Sequence, residues 1–273
     1  MLQNVFGRTL TICLMAAAAT ASPLAERGTT ESSTAAPPAT STPSAADIKA
    51  MQEALILAPS QQERQAILLP NPPDASNYTF QFVNNTVLPP TGGTIALATV
   101  NNFPALIGTN VGMAIGFVNP CGLNTPHSHP RASEFLTVVQ GKLVAGLVLE
   151  NEGAGGAGNL NGTDPVGPIA MVNATLSNYQ GFLFPQGETH FQFNPTCEPA
   201  VFAAAFDNLD PGRTQIATNF FSEFPDDVLL AATGNNLELL DAARIDQLRD
   251  KIPQAFAELI GSCAKKCGIP ISA

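Results

Sequence analysis

The sequence predicts an all-β class, a barrel or sandwich of many short strands with helical segments at both ends. Three observations carry that expectation. From about Tyr78 to Phe221 the chain breaks into short β-rich runs punctuated by Gly, Pro and Asn, the pattern of strands joined by turns. The 273 residues include 22 Gly, 23 Pro and 16 Phe but no Trp, which suits strands and turns better than a helical bundle. Charged residues make up 12%, about half the usual ~25%, and the length is ample for a buried core.

Taken in order, the elements follow from local chemistry. The opening "MLQNVFGRTLTICLMAAAATASP" has Arg8 ahead of an apolar run, Leu10 to Ala19, and a small-x-small site at Ala19-Thr20-Ala21. It reads as a secretory signal over residues 1–21, too short for the ~20 apolar residues of a membrane span. Residues 22–46 are rich in Ser, Thr, Pro and Ala without an apolar period and read as a disordered spacer. A helical arm is expected over 47–75, as two short helices separated at Pro59.

The barrel is expected over 76–224, with strands at "YTFQFV", "GTIALATV", "GMAIGFV", "GFLFP", "THFQFN" and "AVFAAAF". "EFLTVVQGKLVAGLVLE" reads as a hairpin around Gly141, and "NEGAGGAGNLNGTDPVG" as a surface loop. Residues 225–273 read as a helical extension. "PDDVLLAATG" has Pro225 near a start, acidic residues in the first turn and Gly234 as a stop. Ile245, Leu248, Ile252, Phe256 and Leu259 then recur at helical steps, with Pro253 starting a second segment.

Charge excludes some partners. The net charge is −10 and no basic cluster exceeds Lys265-Lys266, whereas nucleic acid and anionic membranes need a positive surface. Export sets the redox setting for the cysteines. Cys13 leaves with the signal, and Cys121, Cys197, Cys263 and Cys267 remain, enough for two disulfides with three pairings. Sequons at Asn77, Asn84, Asn161 and Asn173 fit a secreted, glycosylated chain, while Asn194 is excluded by Pro195.

The chain has 3 histidines, and all fall in two short segments, "NTPHSHPRASE" and "GETHFQFN". Residues two apart on a strand share a face, so His127 and His129 project together. Glu134 has the wrong parity for the same strand, but Pro130 and Arg131 break it and allow the carboxylate to return on the next. In the second segment His190, Gln192 and Asn194 share one face, Phe191 and Phe193 the other. A lone strand histidine is usually structural; three imidazoles and a carboxylate concentrated in this way point to a metal site. Such an N3O set leaves two positions of an octahedron and suits Mn²⁺ or Fe²⁺, with Zn²⁺ acceptable on ligand type.

"GLNTPHSHPRASEFLTVVQG" and "GFLFPQGETHFQFN" resemble the two motifs of the cupin superfamily, and "PHSHPRASE" with "THFQFN" is similar to germin-like and spherulin-type proteins. The resemblance covers roughly Gly112 to Phe221. It implies a single jelly-roll β-barrel, a manganese ion, an extracellular or cell-wall location and a homo-oligomer, trimer or hexamer. It assigns the metal ligands to His127, His129, Glu134 and His190. Germins that oxidise oxalate carry two asparagines near the metal; Asn124 matches one, and Ala114 stands at the other. Oxalate oxidation is therefore in question. The N-terminal cysteine pair of plant germins is also missing. If the two motifs face each other, Cys121–Cys197 would staple them, leaving Cys263–Cys267.

Two functional classes follow. One is an oxidoreductase, dismuting superoxide or oxidising a small organic acid, with Asn124 as a substrate anchor, Gln192 and Phe184 as candidates for the pocket or its support, and Phe193, a further candidate, expected to pack outside the lumen. The other is a non-catalytic wall or developmental protein in which the metal serves structure. A cupin isomerase or cyclase is a third reading, since fold does not fix function.

Overall fold

The computed structural model describes residues 44–69, 75–83, 92–149, 171–235, 240–253, 255–257 and 260–270, all within the compact unit Pro43–Ala273. The signal, the spacer up to residue 43, Asn84, Asn161, Leu259 and the Gly/Asn-rich segment from residue 150 lie outside the described residues.

Helix α1 (Ala45–Leu57) starts at Ser44, whose side chain and that of Asp47 cap each other's backbone N–H. Helix α2 (Gln61–Leu68) is capped by Ser60, and the break falls at Pro59 as expected. The arm buries Leu55 and Leu68, and Gln52 Nε2 donates to the Val100 carbonyl at 2.6 Å. "YTFQFV" departs from expectation: Ser76–Tyr78 is a 3-10 turn, and no strand forms over residues 79–83. Its rings instead cluster, Phe80 lying 4.9 Å from Phe82 and 5.3 Å from Phe103. Ring packing outweighs strand propensity there.

Two antiparallel sheets form the jelly roll. The first comprises β1 (Gly93–Ala98), β2 (Gly112–Val118), β9 (Ala200–Phe206), β4 (Glu134–Gln140) and β7 (Gly181–Phe184), in that spatial order. The second runs β10 (Thr214–Gln215), β3 (Leu123–Ser128), β8 (Thr189–Phe193), β5 (Lys142–Val148) and β6 (Met171–Ser177). The two-residue β11 (Phe256–Ala257) also pairs with β3. Inward residues alternate with outward ones along the strands, as in β2 and β9. The core between the sheets gathers Leu136, Val138, Leu143, Phe184 and Phe202.

The expected hairpin around Gly141 does not form. β4 pairs with β7 and β9, whereas β5 pairs with β6 and β8. Gly141, at φ +87, carries the chain from one sheet to the other, a left-handed conformation that glycine adopts without a Cβ clash.

The C-terminal helices are α3 (Ile216–Glu223), α4 (Asp226–Ala232), α5 (Ala242–Lys251) and α6 (Gly261–Cys267). α4 begins after Pro225 and ends before Gly234 at φ +87. Arg249 of α5 donates to the Phe221 and Phe224 carbonyls and pairs with Asp226, binding α5 to α3 and α4. Beyond α5 the helical stripe stops: Phe256 belongs to β11, opposite Asn124, since Pro253 cannot continue the helix.

The disulfides differ from the expected pairing. Cys121 bonds Cys263, and Cys197 bonds Cys267. Cys263 and Cys267 lie one turn apart on α6, so both thiols leave the same helix face. That face meets the barrel end where Cys121 and Cys197 sit, and the Ile260 N–H donates to the Cys121 carbonyl at 3.1 Å. Both bridges therefore run from barrel to helix.

Candidate metal centre

β3 and β8 lie side by side with His127 opposite His190 and Asn124 opposite Gln192. Asn124 and His127 have opposite strand parity, yet both are buried. A register shift between them reconciles the two, because the irregularity turns Asn124 back to the lumen. His129 follows the end of β3. Glu134 opens β4 in the facing sheet, between Phe184 and Phe206 of the neighbouring strands. Those rings cover the imidazoles: Phe184 stacks on His190 at 4.2 Å, and Phe206 meets His129 edge-on at 4.7 Å.

The four predicted residues converge. One donor atom from each of His127, His129, Glu134 and His190 lies within 4.8 Å of the others, and all four side chains are buried. Backbone carbonyls fix each imidazole. His127 Nδ1 lies 2.8 Å from Thr125 O, His129 Nδ1 2.6 Å from Gly212 O, and His190 Nδ1 2.9 Å from Glu188 O. A carbonyl only accepts, so each Nδ1 carries a proton and Nε2 is the nitrogen left facing inward, where a neutral ring offers a lone pair to a metal. Glu134 Oε2 stands 3.0 Å from His129 Nε2 and 3.2 Å from His190 Nε2. Lone pairs facing at that distance repel unless a cation or proton lies between them. The donor set therefore fits a metal ion.

Electrostatics agree. Burial, then the charges of Arg213 and His190, holds the His127 imidazolium form well below the ordinary histidine range, so that ring is neutral at pH 7. Burial alone would push the Glu134 carboxyl up, but with a proton rather than an ion between them, hydrogen bonds and charge from His129 and His190 outweigh it and keep the group a carboxylate.

Arg213 is a residue the sequence reading missed. It precedes β10 in a turn held by Arg131, whose backbone N–H donates to Pro211 O and whose guanidinium pairs with Asp210 at 2.8 Å. Arg213 Nη2 donates to Asn124 Oδ1 at 2.6 Å, and Asn124 Nδ2 donates to Gln192 Oε1 at 2.5 Å. Arginine only donates, so it fixes the orientation of both amides in turn. Burial pushes its pKa down to about 10, against the pull of Glu134. The one sequence signal is that Arg213 is among only 12 basic residues in an acidic chain; no motif spacing ties it to the histidines.

Other candidates fall elsewhere. Asn194 shares the buried face but is spent on structure, donating to the Val118 and Glu198 carbonyls. Phe193 is half-buried on the opposite face of β8. Ala114 is buried in the core opposite Ala204. Asn77 donates to the Leu68 carbonyl at 3.0 Å, and Asn173 is exposed on β6.

Comparisons with known proteins bear on the family and the fold. Residues 82–238 match a family model described as Cupin. Spherulin-1A of Physarum polycephalum is 36% identical over 228 residues, 83% of this chain and 82% of that one. Germin-like protein 4-1 of Oryza sativa subsp. japonica is 37% identical over 163 residues, 59% of this chain and 58% of that one. A solved structure of oxalate oxidase superposes with a TM-score of 0.53 at 24% identity, over 64% of this chain and 81% of that one. At that identity the likeness bears on the fold.

Proposed function

Since the chain belongs to the cupin family, we propose that it is an exported metal-dependent oxidoreductase holding manganese on His127, His129, Glu134 and His190. The observation that carries this reading is the convergence of one donor atom from each of three buried imidazoles and one carboxylate within 4.8 Å of one another. Bound manganese would supply one-electron exchange between its divalent and trivalent states, which suits superoxide dismutation or oxidation of a small organic acid. Iron would serve the same chemistry; zinc would not.

The chain's own residues hold and shield that centre. The Thr125, Gly212 and Glu188 carbonyls hold the three rings in one tautomer. Phe184 and Phe206 exclude water from their flanks. Asn124 and Gln192 supply the polar wall. Because Ala114 brings no amide, oxalate itself is a poor candidate substrate. The bridges Cys121–Cys263 and Cys197–Cys267 suit an oxidising compartment. Among the described residues no helix is long and apolar enough to cross a membrane.

The experiment is metal analysis of the purified protein beside His190→Ala, followed by assays for superoxide dismutation and for hydrogen peroxide release from oxalate. Manganese should co-purify, and the variant should bind it more than about tenfold more weakly, since loss of even an outer-shell partner costs that much. A protein that stays metal-free after manganese, iron and zinc have each been offered overturns the reading. Metal without either activity favours the non-catalytic wall or developmental role, to which the missing amide at Ala114 lends support.

A further inference from the structure

Beside the imidazole cluster, Arg213 and Gln192 leave two hydrogen-bond donors unused. Arg213 Nε and Gln192 Nε2 are buried and have no acceptor among the described residues. The described residues also give the Arg213 guanidinium no carboxylate at ion-pair distance. Two donors withdrawn from water without acceptors, one of them on a cation, are costly, and an arriving anion removes the cost. Gln192 is fully buried, and its orientation is dictated by Asn124 and, through it, by Arg213. What Arg213 and Gln192 lack is therefore an acceptor.

From these donors we infer that Arg213 is the anion-recognising residue of the site, taking the carboxylate of a small ligand whose other end lies at the metal. This inference rests on the metal reading above. Asn124 then acts as a positioning residue: it holds one guanidinium nitrogen and leaves Nε for the ligand, while Gln192 Nε2 offers the second donor. A planar fork suits a carboxylate in a way a lysine ammonium does not. A neutral molecule of the same shape would leave the guanidinium unpaired.

The test titrates manganese-loaded protein with glycolate and with its neutral amide, glycolamide, by calorimetry, with the Mn(II) electron-spin signal as a second readout. Wild type, Arg213→Gln and Asn124→Asp are compared; the last leaves the guanidinium in place but neutralises it. Both variants should keep metal and melting temperature yet bind glycolate about tenfold or more weakly, with glycolamide unchanged. A folded variant of either kind that binds glycolate like the wild type overturns the inference, as does a wild type that does not prefer glycolate. If Arg213→Gln does not fold, Asn124→Asp decides alone. If the wild type holds no metal, the metal reading falls, and the same titrations on metal-free protein still decide Arg213 by the same outcomes.

Discussion

At Glu134 a single oxygen serves two imidazole nitrogens, and at His127 a neutral ring is walled in beside a guanidinium. These two groups set how the metal-free protein responds to acid. The His127 value is depressed on folding, so below its ordinary 6.5 the unfolded chain takes a proton that the folded one refuses. The Glu134 value is also depressed, so its contribution is whole above the ordinary 4.5 and fades only as pH falls towards the lowered value. Both push the same way. Metal-free protein should melt at a lower temperature at pH 5 than at pH 7.5, with His127 responsible in that window, and His127→Gln should flatten the difference. The ligand residues were legible because His-x-His and a single distant histidine exhaust the chain's imidazoles. Arg213 was not, because its place depends on a turn after β9 that brings distant sequence beside β3.

Close backbone approach between elements governs stability. Gly116 of β2 lies opposite Phe202 of β9, and a Cβ at that glycine would sit 2.1 Å from the ring. Phe202 is itself buried, so it has nowhere to move. Gly116→Ala should cost about 1–3 kcal/mol by overpacking, read as a lower denaturation midpoint with an unchanged slope. Strand runs such as "GMAIGFV" and "AVFAAAF" were legible as short β-rich stretches punctuated by Gly, Pro and Asn. The crossing at Gly141 was not: a glycine between two apolar runs signals a turn, and only pairing with β7 and β9 decides which sheet each run joins. The two-residue strands β10 and β11 carry no periodicity at all; β3 recruits them.

For the whole molecule, one row of exposed apolar side chains stands out. Met113, Ala205, Phe135 and Leu183 are register neighbours across β2, β9, β4 and β7, on the outer face of the first sheet. Phe135 and Leu183 are 53% and 56% exposed. A continuous apolar stripe of that kind suits a second copy of the chain and supports the homo-oligomer that the family resemblance implies. Phe135→Glu should shift the mass measured by light scattering towards a single chain while leaving metal content unchanged; an unaltered assembly would remove the stripe from the interface.

The crossed sulfur links also fix how the polypeptide behaves once it is nicked. With Cys121 tied to Cys263 and Cys197 to Cys267, one backbone scission anywhere between Cys121 and Cys267 leaves the two fragments covalently joined. Trypsin acting at Arg244, Arg249 or Lys251 should therefore release separate bands on a gel only after reduction. Had each bridge stayed within its own segment, Cys121 to Cys197 and Cys263 to Cys267, the same cut would have parted the chain at once.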